Sequence, residues 1–389
     1  GASEYGINWS SEGLVAPGSG SLTNYTEARV LGSSIPSYDY HGSHVAGTAA
    51  GNMFGAAFEA NIWSIACIDR SDVGFSEPAD GFDYIKVWHK NKPLNPITGR
   101  RNPTVVNCSW GFRQFFNNNS SYNLTFRGSS FTKTNVDSGP SAVPAVYYMS
   151  YGFGNYREFT SVKTASQSEA NEIANDPDCK NMIFVCAAGN SSDKQEEFNG
   201  LDYNNEITSA SFYYSSGYDA YFNRPGTPAI TNHGKDNAWI IVGSIDSQRM
   251  SGSQERCSSF SNRGPAIDVW AGGSNILSPY AGLYAYDDPR DSNFELEMIS
   301  GTSMASPNVT GVIATYLESN PDADQAAVRK WLYEEGSTLV SSSDYYDAYQ
   351  SNSATDFNYW GVSYSLKSSP RRILFNPYAN NRKATMSGF

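Results

Sequence analysis

Short apolar runs alternate with helix-like segments along most of this 389-residue chain. Four apolar runs bounded by polar or turn residues predict buried strands: Ala60–Ile68, Thr104–Cys108, Met182–Ala187 and Ala238–Gly243. Apolar residues at helical spacing predict three helices: Asp80–Lys90, the stretch from Met304 to Leu317, and Asp324–Glu335. Strands that alternate with helices predict an α/β fold with a doubly wound parallel sheet flanked by helices.

Other stretches carry a weak pattern. Residues 1–40 are rich in Gly, Ser, Pro and Asn and predict loop. Residues 112–181 and 197–233 are rich in Asn, Tyr and Phe and are interpreted as long loop insertions, the first with a helical patch near Glu169–Ala174. We therefore predict one domain over residues 1–340 and a C-terminal extension, residues 341–389, that packs on it.

Composition narrows the classes of function. The net charge of -12 argues against nucleic-acid binding, and the absence of an apolar run of about 18 residues argues against a membrane span. The five cysteines have no CxxC spacing and are interpreted as structural thiols, since Cys67, Cys108 and Cys186 lie in apolar runs. We expect a soluble globular protein.

The segment Ser300–Pro307 joins a turn of small residues to the helix that follows it. Ser303 is predicted at or near the helix N-terminus, where free N–H groups and the helix dipole favour a developing anion. Pro307 is expected in the first turn, where its missing N–H costs little. A nucleophilic serine needs this placement, although a serine before a helix is most often an N-cap.

Two further segments help to decide whether Ser303 is a nucleophile or only an N-cap. His41–Thr48 reads HGSHVAGT, and Val185–Asn190 reads VCAAGN. With GTSMASP at Gly301–Pro307, and in this chain order, they resemble the subtilisin-like serine peptidases, or subtilases, over roughly His41 to Leu339. The resemblance implies the subtilisin α/β fold and a serine endopeptidase. The low lysine content and the insertions resemble viral members, so a secreted and a virion-associated location both stay open.

The resemblance assigns the catalytic roles. Ser303 is the nucleophile and His41 the general base that activates it. Asn190, at the end of an apolar strand, donates its side-chain amide to the oxyanion, together with the Ser303 backbone N–H. The second histidine of the motif, His44, is structural in the family. The two remaining histidines are interpreted as surface residues: His89 and His233.

A protein or peptide substrate would pair with the enzyme as an extra strand. By resemblance, two backbone segments form a wall and the lining of the first pocket: Ser109, Trp110 and Gly111, and Ala187, Ala188 and Gly189. Trp110 stands where many relatives carry Leu and would reshape an apolar subsite, unless it belongs to the core. Asp39 would border the second subsite and favour a basic substrate residue. Its alternative role is a turn or cap before the helix.

Two departures from the family pattern concern calcium and the triad acid. The loop Gly51–Gly55 lacks the insertion that holds a strong calcium site in many relatives, so no cofactor is certain and calcium is assigned no ligands. No Asp-Ser/Thr-Gly follows a strand in residues 1–40, and Asp39 is a poor substitute because the chain would have to fold back. We predict that autoprocessing before Gly1 leaves a bound N-terminal fragment, which supplies the missing strand and the Asp.

Three functions from different classes remain at this point. The first is a serine endopeptidase that acts through an acyl-enzyme. The second is a catalytically inactive subtilase-fold structural or interaction protein, favoured by the missing Asp and the aromatic, Asn-rich insertions. The third is an acidic module that only binds. The intact segments around Ser303, His41 and Asn190 favour the enzyme.

Overall fold

A computed structural model describes residues 6–14, 40–65, 78–115, 121–134, 158–161, 164–209, 221–226, 239–248, 254–280, 286–289, 291–341, 343 and 368–379. The helices in these residues are α1 (His41–Ala50), α2 (Pro78–Asn91), α3 (Thr164–Asn175), α4 (Thr302–Ser319) and α5 (Gln325–Glu334). The strands are β1 (Thr104–Cys108), β2 (Phe112–Phe115), β3 (Ser121–Phe126), β4 (Ser129–Thr134), β5 (Glu158–Ser161), β6 (Met182–Ala187), β7 (Glu206–Ser209), β8 (Ile240–Ile245), β9 (Val269–Gly272), β10 (Ile276–Pro279), β11 (Tyr286–Asp288), β12 (Asp291–Ile299), β13 (Ser337–Leu339) and β14 (Arg372–Leu374).

The central sheet has the strand order β1-β6-β8-β9-β14-β13. Its neighbours from β1 through β14 pair in parallel, and β13 pairs antiparallel with β14. Strands β6 and β8 are buried along their whole length, which is typical of a parallel sheet covered on both faces. The predicted α/β class is confirmed.

Each face of the sheet has its own apolar core. On one face, Phe82 of α2 packs with Phe184 and Trp239, whose rings stack with centroids 4.4 Å apart. On the other face, α4 and α5 bury residues such as Val309 and Trp331 against β6 and β8. Burial of one large apolar side chain contributes about 1.5–3 kcal/mol, so these two cores hold the sheet edge on which the site is built.

The predicted strand Ala60–Ile68 is wrong over its described part. Asn61–Ile65 forms no strand, and the exposed fractions of Ile62, Trp63 and Ile65 are 53%, 42% and 41%. A run of apolar residues indicates burial but does not name the strand that it pairs with. Among the described strands, β1 pairs with β6 alone, so the position beyond β1 is not taken by this segment.

The two insertions contain short antiparallel sheets, which the weak sequence pattern did not predict. Strand β2 pairs with β5, and the order β4-β3-β7 joins the two insertions in one small sheet. The predicted helical patch near Glu169–Ala174 is part of α3. In the predicted C-terminal extension, β14 lies inside the central sheet between β9 and β13, while the boundary at residue 340 stays a prediction.

A buried ion cluster ties the first insertion to the chain that follows β6. Asp202 accepts hydrogen bonds from the Arg127 guanidinium at 2.7 Å and 3.0 Å and from Lys194 Nζ at 2.5 Å. Lys194 also donates to Glu196 at 3.0 Å. Burial raises the pKa of Asp202, but the bonds from Arg127 and Lys194 outweigh it and lower that pKa to about 2. Asp202 therefore stays ionised and paired with Arg127 at neutral pH.

The interpretation of His89 as a surface residue is wrong. Its side chain on α2 is fully buried, and Nδ1 and Nε2 lie 2.7 Å from Thr104 Oγ1 and 3.0 Å from Asn181 Oδ1. Burial, reinforced by the charge of Lys92, lowers the pKa of His89 to about 4. Its role is structural, and His233 lies outside the described residues.

Because the imidazole of His89 is buried, we predict that the free energy of unfolding decreases in mild acid. Between pH 6.5 and about 4, His89 accepts a proton in the unfolded chain but not in the folded one. Stability therefore falls as the pH falls through this window, by up to about 3 kcal/mol. Urea unfolding at several pH values measures the loss. His89→Gln, whose amide does not titrate, should flatten this part of the profile, and identical profiles for both proteins would contradict the assignment.

Candidate active site

Helix α4 begins at Thr302, with Gly301 as its N-cap residue, so Ser303 lies in the first turn as the sequence predicts. The expectation for Pro307 is wrong, because it is the sixth residue of the helix and not part of the first turn. In a regular helix the N–H of residue 307 would bond the carbonyl of residue 303. Proline has no N–H, so the Ser303 carbonyl must find another donor.

That donor is Ser109, which follows β1. Ser109 Oγ donates to the Ser303 carbonyl at 2.7 Å, and Ser303 Oγ donates in return to the Ser109 carbonyl at 3.1 Å. A hydroxyl has one proton, so in this arrangement the Ser303 proton points to the Ser109 carbonyl and not to a base. The two residues lock the start of α4 onto the end of β1.

His41 is the first residue of α1 and is half-buried. Helix α1 packs against α4, which places His41 and Ser303 on neighbouring helices. The two helices approach closely, since a Cβ at Gly311 of α4 would be 2.4 Å from the Ala49 carbonyl oxygen of α1. Helix α1 also packs closely on β10, where a Cβ at Gly47 would be 2.4 Å from Pro279 Cδ. The small residues of the HGSHVAGT segment therefore have a packing role.

His44 lies on the inner side of α1 and is fully buried. Its Nε2 is 2.9 Å from the Ile276 carbonyl and 3.2 Å from the Glu297 carbonyl, so this nitrogen carries the proton. Burial lowers the pKa of His44, and the charge of His41 lowers it further. A neutral, buried imidazole that bonds to backbone carbonyls fits the structural role expected for it.

Asn190 follows β6 through Gly189, whose φ of 102° lies in the region that glycine favours. The amide oxygen Oδ1 accepts two bonds from Thr302, from its N–H at 2.9 Å and from its hydroxyl at 2.8 Å. Thr302 Oγ1 also accepts the Gly189 N–H at 3.0 Å. These bonds engage Oδ1 and leave the Asn190 Nδ2 group to point elsewhere.

The Nδ2 group lies beside Gly301. A Cβ built on Gly301 would lie 3.4 Å from Asn190 Nδ2, 3.6 Å from the Ser303 backbone N and 3.7 Å from Met304 Sδ, all at van der Waals distance. Two nitrogens that carry N–H groups therefore lie on the same side of Gly301. An oxygen atom that approached this side would come near both donors.

The two predicted substrate segments leave the sheet side by side. Strands β1 and β6 are parallel neighbours in which Cys108 pairs with Cys186, so the predicted wall and pocket lining both start at the carboxyl edge. The Ala188 carbonyl is held by Gln195 Nε2 at 2.6 Å and by Asn262 Nδ2 at 2.9 Å.

Of the predicted substrate-binding residues Trp110 and Asp39, only Trp110 belongs to the described residues. Trp110 is half-buried, with its ring centroid 6.0 Å from that of Phe82 and 5.5 Å from that of Phe112, so much of it packs on the core. Asp39 lies outside the described residues. Gly111 is exposed at the end of the wall.

The sequence reasoning missed three residues that hold the site together. Thr302 orients Asn190, Asn262 holds the pocket lining, and Asn107 bonds to Ser109. Asn107 carried a usable signal, since it is a polar residue inside the apolar run Thr104–Cys108. Thr302 and Asn262 look like ordinary turn residues in the sequence, and only their partners reveal their roles.

Within the described ranges, every helix is too short or too polar to span a lipid bilayer. The same residues bring together no group of three or more His, Cys, Asp or Glu side chains that could hold a metal ion, so calcium is assigned no ligands. The described cysteines are buried thiols that form no disulfide with one another: Cys108, Cys179, Cys186 and Cys257.

Comparison with known proteins identifies the family of this chain. The model of the subtilase family matches residues 6–343, so the chain belongs to that family. A cuticle-degrading serine protease of Arthrobotrys oligospora is 27% identical over 277 residues, which are 67% of this chain and 57% of the relative. An alkaline proteinase of Hapsidospora chrysogena is 25% identical over 298 residues, or 77% and 47%. The chain thus spans about half the length of these relatives.

Among solved structures, a cold adapted subtilisin-like serine proteinase aligns with a TM-score of 0.43 and 20% identity, covering 86% of this chain and 74% of its own. The two curated relatives above are fungal, and the resemblance to viral members stays a prediction.

Proposed function

We propose that this chain is a serine endopeptidase that hydrolyses peptide bonds through an acyl-enzyme. The observation that carries the proposal is the placement of Asn190 Nδ2 and the Ser303 N, at the start of α4, on the same side of Gly301. Fixed donors beside a serine hydroxyl suit the anionic oxygen of a tetrahedral intermediate. Covalent labelling by a fluorophosphonate tests the proposal directly.

In the proposed mechanism, His41 takes the proton of Ser303 as Oγ attacks the scissile carbonyl carbon. The carbonyl oxygen becomes an anion and accepts bonds from Asn190 Nδ2 and the Ser303 N–H. The intermediate collapses when His41 gives its proton to the leaving amine, which produces the acyl-enzyme. A water molecule, deprotonated by His41, then releases the acid and restores Ser303.

The substrate would be a protein or peptide that binds as an extended strand between the two segments at the sheet edge. Backbone groups of Ser109, Trp110 and Gly111 would pair with one side, and Ala187, Ala188 and Gly189 would line the first pocket. The bonds from Gln195 and Asn262 to the Ala188 carbonyl support this binding mode, since they hold the proposed pocket lining at Ala188 in place.

Asp39 is proposed to select a basic residue in the second substrate subsite. A partly exposed charge pair is weak, so Asp39→Asn should reduce cleavage next to basic residues by about threefold at low salt. A peptide library measured at two salt concentrations checks this. An unchanged preference would assign Asp39 to the turn before α1 instead.

The triad acid is proposed to come from a separate N-terminal fragment that pairs with the outer edge of β1. Two features support this partner. Strand β1 has β6 as its one neighbour among the described strands, and its apolar residues Val105 and Val106 are only half-buried. A further parallel strand would cover them and satisfy backbone groups that otherwise cost about 1–3 kcal/mol each when buried.

Mass spectrometry of the purified native protein checks for this fragment. After denaturation, the spectrum should contain a second, smaller polypeptide that carries the Asp-bearing strand. Protein carrying Ser303→Ala is the control, and it should contain no second polypeptide if the cut is autoprocessing. Active protein that contains no second polypeptide would exclude the fragment as the source of the acid.

The alternative function is a catalytically inactive subtilase-fold protein that serves in structure or interaction. The exposed Ile62, Trp63 and Ile65 favour it, because apolar side chains at a surface suit a contact with another protein. This alternative predicts no fluorophosphonate labelling in the native protein. A secreted or virion-associated location stays a prediction under either function.

A further inference from the structure

Asn107 is a polar residue within the apolar strand β1, and its amide makes three hydrogen bonds. Its Oδ1 accepts from Ser306 Oγ at 2.7 Å and from Thr310 Oγ1 at 3.0 Å, both on α4. Its Nδ2 donates to Ser109 Oγ at 2.8 Å. Ser306 is fully buried and Thr310 nearly so, which shields these bonds from water.

The Ser303 carbonyl determines which way the amide of Asn107 points. A carbonyl can only accept, so Ser109 Oγ, 2.7 Å away, directs its single proton to it. The Asn107 group that lies 2.8 Å from Ser109 Oγ must then be the NH2 donor, which leaves Oδ1 toward the hydroxyls of Ser306 and Thr310. Thr310 Oγ1 also lies 3.1 Å from the Ser306 carbonyl, so its one proton has two acceptors.

The Ser303 carbonyl needs the proton of Ser109 Oγ because of Pro307. The helix cannot supply the bond from residue 307, and Ser109 Oγ takes its place. Asn107, Ser109 and Ser303 thus form one directed chain of hydrogen bonds. These hydrogen bonds hold the carbonyl of Ser303 in place. The nucleophilic hydroxyl and the backbone N–H belong to the same residue, so they are held as well.

We propose that Asn107 is a positioning residue that aligns Ser303 for catalysis through the hydroxyl of Ser109. This inference rests on the proposed function, since it concerns the geometry of the same nucleophile. Asn107 touches no reacting atom. Its effect is to keep the Ser303 peptide, and with it the hydroxyl and the backbone N–H, fixed relative to the wall at Ser109.

Asn107→Asp tests the direction of the chain with almost no change in shape. A carboxylate can still accept from Ser306 and Thr310 but cannot donate to Ser109. Ser109 Oγ is then expected to turn its proton to the carboxylate and release the Ser303 carbonyl. We expect the rate of fluorophosphonate labelling and kcat to fall about tenfold, with KM changed less than about twofold.

Ser109→Ala breaks the same chain without adding a charge and should slow labelling by a similar factor. The labelling rate of the double variant should lie within about twofold of the rate of either single variant, since both changes remove the same bond. Thr310→Val is the matched control. It removes a bond to the Asn107 oxygen but leaves Ser306 to orient the amide, so labelling should stay within about twofold.

Two results would overturn the inference. One is labelling of Asn107→Asp at the wild-type rate, and the other is a double variant about a hundredfold slower, as for independent sites. An unlabelled wild-type protein would contradict the proposed function instead. The inference would then be decided by a crystal structure of Asn107→Asp, in which Ser109 Oγ must have left the Ser303 carbonyl.

Discussion

Replacing Ser303 with alanine is expected to abolish fluorophosphonate labelling and to lower kcat by about a millionfold. That scale is the one measured when the nucleophile of a subtilisin, a member of the same family, is removed. The physical reason is that no other group in the proposed site supplies an oxygen to attack the substrate. What remains is the catalysis from substrate binding and the oxyanion donors.

Peptide mapping of the labelled protein by mass spectrometry measures the outcome. Ser300→Ala is the matched control, because Ser300 lies in the same segment but accepts a bond from the Asn275 N–H at 2.8 Å outside the site. This variant should label at the wild-type rate. Labelling that persists in Ser303→Ala at another serine would contradict the assignment of the nucleophile.

Replacing Asn190 with alanine is expected to lower kcat by about a hundredfold or more, with little change in KM. The loss corresponds to about 3 kcal/mol, the scale measured when the equivalent donor is removed from a subtilisin. Asn190 Nδ2 lies beside Gly301 on the same side as the Ser303 N, where the substrate oxygen is proposed to carry its full charge only in the transition state. Its bond is therefore worth more in the transition state than in the bound substrate.

Steady-state kinetics with a peptide substrate separate the two parameters. Asn308→Ala is a suitable control, because that amide lies on α4 but donates to the carbonyls of Gly272 and Met304. Its kcat should stay within about twofold of the wild type. A rise in KM at constant kcat in Asn190→Ala would mean that Asn190 positions the substrate instead.

The order of helices and strands could be predicted from the sequence because it depends on local periodicity. The predicted runs Met182–Ala187 and Ala238–Gly243 are apolar throughout, which is the composition typical of parallel strands covered on both faces. The start of α4 near Ser303 was predictable for a similar reason, since small residues precede a regular apolar pattern. These signals act over a few residues and need no knowledge of the fold.

The sequence motifs also identified the residues proposed for catalysis, but not how they are held. HGSHVAGT, VCAAGN and GTSMASP point to His41, Asn190 and Ser303 as one set. The bonds from Thr302 to Asn190 and from Ser109 to Ser303 join residues that are 112 and 194 positions apart in the chain. Only the fold brings such distant partners together, so no local pattern could reveal these bonds.

The wrong predictions have the same origin. His89 is predicted at the surface, yet packing of α2 on the strands buries it between Thr104 and Asn181. The run Asn61–Ile65 is apolar, yet it is exposed because no described strand pairs with it. Sequence by itself determined the core strands β1, β6 and β8, the helices α2, α4 and α5, and the residues that form the motifs. Tertiary structure alone decided burial, strand partners and hydrogen-bond direction, because each depends on groups that are distant in the chain.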